Sequence, residues 1–139
     1  MTLRPTYLLD TNILLRFLTN DHPKHSSAAK KLLEEAGGGK LDLKISFIVI
    51  VETIFTLQSY YEVDRADIGR ELLKILSAPG ISLTCPAWVF EAVEYYRIRN
   101  VSFGDACLAS EAQAAEIAIA SFDRGLEKFP GVKRYEPGK

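Results

Sequence analysis

Short apolar runs separated by long helical stretches constrain the fold of this chain more than any other feature of its sequence. Each run has the length of a strand and is mostly apolar, as strands buried in a parallel sheet are. The four runs are Tyr7–Leu9, Leu43–Ile45, Ile81–Leu83 and Ile117–Ala120. We expect Val132–Tyr135 to add an edge strand. Because strands and helices alternate along the chain, the sequence predicts an α/β fold.

The stretches between these runs repeat apolar residues at helical spacing. Gly37–Gly39 ends the first of two such helices, Asp64 is placed to cap the second, and Pro79-Gly80 turns the chain into the third strand. We interpret the apolar faces of both helices as core packing. The first face comprises Ala28, Ala29, Leu32, Leu33 and Ala36, and the second comprises Ile68, Leu72, Ile75 and Leu76.

The size of the chain favours one domain. Its 139 residues, of which 47% are hydrophobic, suffice for one buried core and are too few for two ordinary domains. We place this domain at residues 1–135 and expect residues 136–139 to form a flexible tail. The net charge of −1 excludes a strongly basic nucleic-acid clamp, so any polyanion must be held by a local basic patch.

The sequence predicts a cytoplasmic protein. Asp10, Asn12 and Arg16 interrupt the apolar opening segment before it is long enough to span a bilayer or to serve as a signal-peptide core. Cys85 and Cys107 are isolated and lack metal-binding spacing, which is typical of small buried side chains in a reducing compartment. We therefore expect no membrane association.

Four acidic side chains stand where α/β sheets bind ligands. Asp10 and Asp123 follow the first and fourth strands, and Glu52 lies in the helix after the second strand. In open parallel sheets, ligands bind beyond the carboxyl ends of the strands. Asp105 begins an alanine-rich helix, from which its carboxylate can point at the same crevice. The sequence therefore predicts a cluster of four carboxylates.

The three aspartates also have a structural explanation. Aspartate is a preferred helix N-cap, and each of the three precedes a helical segment. Taken singly, each is better explained as a cap than as a catalytic residue, because caps are common and metal sites are few. These three are Asp10, Asp105 and Asp123.

Glu52 is harder to explain as a structural residue. Ile48 and Phe55 share its helical face, so we expect its carboxylate to lie off the solvent-exposed stripe. A buried carboxylate needs a cation, because leaving its charge unpaired is costly. One alternative is a buried ion pair with an arginine. The candidates are Arg16, Arg97 and Arg99.

A divalent metal explains the four acids together. Clustered carboxylates repel one another, and Mg²⁺ or Mn²⁺, which prefer hard oxygen ligands, removes that repulsion. Metals held in this way activate a water molecule and stabilise the charge that develops when a phosphodiester bond is hydrolysed. The sequence therefore predicts a metal-dependent phosphodiesterase.

An ordered set of four fragments resembles a known family. The fragments are Tyr7–Phe17, Glu52 within its apolar segment, Phe103–Ala106 and Ser121–Asp123. Their order and spacing, over nearly the whole chain, resemble the PIN-domain family and more narrowly the VapC-type toxins of bacterial and archaeal toxin–antitoxin pairs. The resemblance implies a central parallel sheet of order 3-2-1-4-5 flanked by helices, and endonucleolytic cleavage of RNA. It also implies a homodimer and a VapB-type antitoxin that blocks the metal site.

The resemblance assigns roles to particular residues. Asp10 and Asp105 correspond to the main ligands of Mg²⁺ or Mn²⁺, and Glu52 and Asp123 to ligands that bind directly or through water. Hydrogen-bonding support would come from two further residues. These are Asn12 and Ser121, the latter standing where the family often has threonine.

Basic residues and histidines carry weaker signals. Several cations could steer an RNA phosphate, although each is equally an exposed solubilising charge. They are Arg16, Arg97, Arg99, Arg124, Lys133 and Arg134. His22 and His25 are interpreted as an exposed helix start rather than a zinc site, because no cysteines lie near them.

Two other functions compete with the nuclease. The first is a non-catalytic acidic pocket that binds a basic peptide or RNA partner without metal. The second, a haloacid-dehalogenase-type phosphatase, is disfavoured because Asp10-Thr11-Asn12 lacks a second aspartate two residues after the nucleophile.

Overall fold

A computed structural model describes the chain from Leu3 to Gly138. Two units are recognised, the first ending at Pro86 and the second beginning at Ala87. The first unit contains β1 (Thr6–Leu8), α1 (Thr11–Thr19), α2 (Pro23–Gly37), β2 (Asp42–Ile45), α3 (Phe47–Ser59), α4 (Arg65–Leu76) and β3 (Ile81–Leu83). The second contains α5 (Val89–Ile98), α6 (Phe103–Ala115), β4 (Ile119–Ala120), a 3₁₀ turn (Arg124–Lys128) and β5 (Arg134–Tyr135).

The first unit is built on a parallel sheet with β2 at its centre. Tyr7 pairs with Leu43 across β1 and β2, and Leu43 pairs with Ile81 across β2 and β3. The side chains of Leu43 and Ile45 are fully buried, as the apolar pattern of a central strand predicts. The predicted inner face of α4 is confirmed, because Ile68, Leu72, Ile75 and Leu76 are all buried.

A close backbone approach fixes the turn into β3. Gly80 has a φ of +81°, and a Cβ built on it would lie 2.1 Å from the carbonyl oxygen of Ala36. Only glycine fits both the left-handed conformation and the short approach. The end of α2 at Gly37 and the Pro79-Gly80 turn are therefore confirmed, and together they place β3 beside β2.

The second unit packs a small core against a parallel strand pair. Ile119 pairs with Arg134, and Ala120 with Tyr135. Its core residues are Ala109, Ala112, Ile119, Leu126 and Phe129. Strand β4 is shorter than predicted, because the amide of Ile117 donates to the carbonyl of Ala112 in the turn that closes the end of α6.

The predicted α/β class is confirmed, as are the strand neighbours 3-2-1 in the first unit and 4-5 in the second. The neighbouring of β1 and β4 stays a prediction, and so does the single domain over residues 1–135. Glu136, the first residue of the predicted tail, forms an ion pair with Arg134 at 2.9 Å. Met1, Thr2 and Lys139 lie outside the described residues. None of the described helices is long and apolar enough to cross a membrane.

Candidate metal centre

Asp10 occupies the N-cap position of α1 without acting as a side-chain cap. Its backbone is extended, with φ −86° and ψ 153°, and its carboxylate makes no capping hydrogen bond to the helix. The side chain is exposed at the end of α1 where backbone N–H groups and the helix dipole favour negative charge. The capping alternative is therefore wrong for Asp10, and its carboxylate oxygens remain available to a ligand.

Thr11 connects this helix start to Glu52. The hydroxyl of Thr11 donates to Oε2 of Glu52 at 3.0 Å, across 41 positions of sequence. Thr11 is the first residue of α1 and is only 8% exposed, so the bond has a fixed donor. Because Thr11 directly follows Asp10, the bond holds Glu52 of α3 near the end of α1 that carries Asp10. Sequence reasoning missed this role, although a hydroxyl beside the first acid was a visible signal.

Glu52 is exposed, so the prediction that it lies off the solvent-exposed stripe is wrong. Ile48 and Phe55, which share its face, are 58% and 69% exposed. The reason is that α3 is apolar on nearly all sides, so its pattern does not identify the buried face. The face that is buried consists of Val49, Ile50, Thr53, Ile54 and Leu57.

The ion-pair alternative for Glu52 receives no support from Arg16, the proposed partner in the same unit, and stays a prediction for Arg97 and Arg99, which lie in the second unit. Arg16 pairs with Asp21 at 2.9 Å, and Arg97 pairs with Glu94 one helical turn earlier. Arg99 donates to the carbonyl of Lys128 at 3.1 Å.

Asp105 lies in the first turn of α6, as predicted, but it is not the cap. Ser102 holds the N-cap position, and its hydroxyl accepts a hydrogen bond from the amide of Asp105 at 3.1 Å. The capping alternative is therefore wrong for Asp105 as well. Its half-buried carboxylate stands at a helix N-terminus, where the dipole stabilises negative charge without using the oxygens.

Asp123 does act as a cap, and the capping alternative is confirmed for it. Its Oδ1 accepts a hydrogen bond from the amide of Gly125 at 2.8 Å, at the start of the 3₁₀ turn. Within the described chain, Oδ2 has no hydrogen bond. The hydroxyl of Ser121 accepts from the amide of Asp123 at 3.0 Å, so Ser121 supports this acid through the main chain.

Asn12, the other predicted supporting residue, is exposed on α1. Its side-chain amide makes no hydrogen bond to another residue between Leu3 and Gly138. The histidines fulfil their structural interpretation, because His22 is the N-cap of α2 and its Nδ1 accepts from the amide of His25 at 3.2 Å.

The donor atoms suit Mg²⁺ or Mn²⁺. All four predicted ligands are carboxylates, whose oxygens these hard cations prefer. Each unit contributes two of the four predicted acids, and neither unit alone gathers three Asp, Glu, His or Cys side chains into a metal-binding group among its described residues. The assembly of all four acids around a metal stays a prediction.

Arg16, one of the predicted RNA-binding residues, belongs to a polar network at the end of α1. Asp21 accepts hydrogen bonds from Tyr61 at 2.7 Å, from Thr19 at 2.8 Å and from Arg16 at 2.9 Å. The hydrogen bonds from Tyr61 and Thr19, followed by that from Arg16, lower the pKa of Asp21 to about 2. Arg16 also lines a groove of about 340 Å³ together with Asn12.

Comparisons with known proteins agree with the resemblance. The sequence model of the PIN domain matches residues 7–132. The VapC ribonuclease of Aquifex aeolicus (strain VF5) is 29% identical over 132 residues, which cover 93% of this chain and 97% of that protein. VapBC2 from Rickettsia felis, solved bound to a DNA fragment from its promoter, matches 94% of this chain and 97% of its own with 17% identity and a TM-score of 0.36. A superposition at that score supports no conclusion about this chain.

Proposed function

The chain belongs to the PIN-domain family, and we propose that it is a Mg²⁺- or Mn²⁺-dependent endoribonuclease, the toxin of a VapBC-type pair. The observation that carries the proposal is the state of the two carboxylates assigned as main ligands. Asp10 and Asp105 each stand at a helix N-terminus, and neither spends its carboxylate on capping that helix. The 29% identity of the chain to a VapC ribonuclease over 132 residues supports RNA as the substrate.

In this proposal, Asp10 and Asp105 hold the metal directly. Glu52, oriented by the hydroxyl of Thr11, and Asp123, with Oδ1 already committed to Gly125, bind it directly or through water. A metal bound there supplies an activated water and stabilises the charge on the phosphate as the bond breaks.

The helix starts contribute independently of the metal. The positive ends of the helix dipoles at the starts of α1 and α6 stabilise negative charge on their acids. They therefore offset part of the repulsion that clustered carboxylates exert on one another.

Partners follow from the proposed function. A VapB-type antitoxin would block the carboxylates, the chain would form a homodimer, and the protein would act in the cytoplasm. Arg16, Arg97 and Arg99 are proposed RNA contacts. For Arg16 and Arg97 such contacts require competition with Asp21 and Glu94, the acids with which they form ion pairs.

Cleavage of RNA by purified protein, assayed with EDTA and with added Mn²⁺, tests the proposal. We expect EDTA to abolish cleavage and Mn²⁺ to restore it, with products that carry a 3′-hydroxyl and a 5′-phosphate. A cyclic phosphate would instead indicate attack by the 2′-hydroxyl. Calorimetric titration with Mn²⁺ separates the nuclease from a non-catalytic acidic pocket, which needs no metal.

Asp105→Asn is the sharpest variant, and Asp67→Asn is its matched control. Both aspartates lie in the first turn of an exposed helix start, and Asp67 is bonded to Arg70 on α4. We expect Asp105→Asn to abolish cleavage while leaving the metal-free melting temperature unchanged or raised, because carboxylate repulsion is relieved. Asp67→Asn should keep full activity. Equal losses of activity in the two variants would indicate that Asp105 acts only as a charge at a helix start, and this would contradict the proposal.

A further inference from the structure

Arg134 is a largely buried arginine that takes part in two ion pairs. Only 9% of its side chain is exposed, although an isolated arginine near the end of a chain is expected to be a solvated surface charge. A guanidinium in such surroundings requires acceptors. They are Oε1 of Glu127 at 3.0 Å, Oε1 of Glu136 at 2.9 Å and the carbonyl of Ser121 at 2.9 Å.

Two of these acceptors lie at opposite ends of one loop. Ser121 follows β4 directly, and Glu127 lies in the 3₁₀ turn that comes next. Arg134, on β5, therefore spans the loop from its beginning to its end. The parallel pairing of β4 with β5 fixes the base from which the guanidinium reaches.

Asp123 stands between these two anchored points. Its amide donates to the Ser121 hydroxyl at 3.0 Å, and its Oδ1 accepts from Gly125 at 2.8 Å. These are short-range bonds within the loop, and they set the carboxylate relative to the loop rather than relative to the sheet. The amide of Ser121 donates to the carbonyl of Tyr135 at 3.0 Å and so joins the start of the loop to β5, and the contacts of Arg134 with Ser121 and Glu127 extend this connection to the far end of the loop.

We propose that Arg134 is a positioning residue that holds the Ser121–Glu127 loop on β5 and so fixes the carboxylate of Asp123. The functional part of this inference rests on the proposed nuclease activity. Arg134 acts through the loop and makes no contact with the carboxylate itself. This role excludes the use of Arg134 as a steering charge for RNA, since its guanidinium is turned inward onto two glutamates and a carbonyl.

Amide hydrogen exchange in the metal-free protein tests the structural part. In Arg134→Met, a side chain of similar length without charge, we expect the amides of Asp123 and Gly125 to exchange roughly tenfold faster, as the loss of charge-assisted hydrogen bonds implies. The amide of Ala109, in the core of the same unit, should change little. Arg70→Met, which breaks exposed ion pairs on α4, is the matched control and should leave all three rates unchanged.

Milder variants keep the test decisive if Arg134→Met fails to fold. Glu127→Gln removes one ion pair and leaves the bond to Ser121, so the same two amides should accelerate by a smaller factor. Arg134→Lys keeps the positive charge but loses the planar guanidinium that reaches several acceptors at once. Its amide exchange rates should lie between those of wild type and Arg134→Met. Unchanged exchange at Asp123 and Gly125 in Glu127→Gln and Arg134→Lys would overturn the proposal.

Cleavage kinetics test the functional part. Misplacing Asp123 should lower kcat about tenfold with KM for RNA changed less than twofold, and Arg134→Lys should restore part of kcat. A raised KM with unchanged kcat would show that Arg134 binds RNA and would overturn the proposal. Complete inactivity of the wild type with Mn²⁺ would refute the proposed nuclease instead, while amide exchange would still decide whether Arg134 holds the loop.

Discussion

Removing the Thr11 hydroxyl tests whether the start of α1 and α3 are coupled as the structure indicates. Thr11→Val replaces the hydroxyl with a methyl of similar size, so the buried volume is kept and the 3.0 Å bond to Glu52 is lost. Glu52→Ala removes the acceptor, and the double variant removes both. The four proteins form a double-mutant cycle that isolates the contact.

The exposure of the two partners sets the expected size of the coupling. A hydrogen bond to a charged group contributes about 1.5–3 kcal/mol when it is well shielded, and an ordinary one about 0.5–1.5 kcal/mol. Thr11 is buried but Glu52 is exposed, so water weakens the bond and the lower range applies. We therefore expect a coupling free energy of about 0.5–1.5 kcal/mol in the metal-free protein.

Urea unfolding of the four proteins measures this coupling. With an m-value of about 2 kcal/mol/M, a coupling free energy of about 1 kcal/mol corresponds to a difference of about 0.5 M urea in the unfolding midpoint. Thr6→Val is the control, because Thr6 is exposed on β1 and makes no side-chain hydrogen bond among the described residues. Additive effects of Thr11→Val and Glu52→Ala, within about 0.3 kcal/mol, would refute the coupling. In the proposed nuclease, Thr11→Val should also slow cleavage several-fold, because Glu52 loses its orientation.

Two further predictions concern the first unit. Gly80→Ala should lower the free energy of unfolding by about 2–5 kcal/mol, of which the left-handed backbone contributes about 1–2 kcal/mol and the contact with Ala36 about 1–3 kcal/mol. Gly37→Ala is the control, because a Cβ at Gly37 meets open space, and it should change the free energy of unfolding by less than about 0.5 kcal/mol. Urea or thermal unfolding measures both. The folded-state pKa of Asp21 is about 2, below its ordinary 3.8, so its contribution to stability is complete above about pH 4 and is lost as the pH falls through 2. Tyr61→Phe removes the largest cause of that shift and brings the folded-state pKa closer to 3.8, so the melting temperature of this variant should fall less between pH 4 and pH 2 than that of wild type, and coincident profiles would contradict this.

The strands and the buried face of α4 could be predicted because the apolar pattern of each segment fits only one secondary structure or one buried face. Leu43 and Ile45 are apolar on a strand too short to be a helix, and Ile68 and Leu72 recur on one face of an otherwise polar helix. Helix α3 offered no such contrast. Its residues are apolar on both faces, so burial was decided by which neighbours it packs against, and that information is not local to the segment.

The supporting contacts of the candidate site were harder to foresee than its acids. The hydrogen bond from Thr11 to Glu52 joins residues 41 positions apart, and the contacts of Arg134 depend on the pairing of β4 with β5. The spacing of residues along the sequence does not reveal either contact. The acids could be proposed from the sequence because Asp10 and Asp123 follow strands and Glu52 lies in the helix after a strand, positions that the order of elements already determines.

Competition between helix capping and metal binding ranks the acids by how readily their carboxylates can bind a metal in the proposed nuclease. An aspartate that caps has committed one oxygen to a backbone amide, and a metal that recruits that oxygen must break the bond or share it. Asp123 is in this position through Gly125, whereas Asp10 and Asp105 are free of such bonds. In the proposed nuclease, direct metal binding would therefore cost less at Asp10 and Asp105, and Asp123 would be better suited to bind through its second oxygen or through water. The same argument explains why an aspartate at a helix start need not be a cap: in α6 the hydroxyl of Ser102 satisfies the amide, which leaves the charge of Asp105 for a cation.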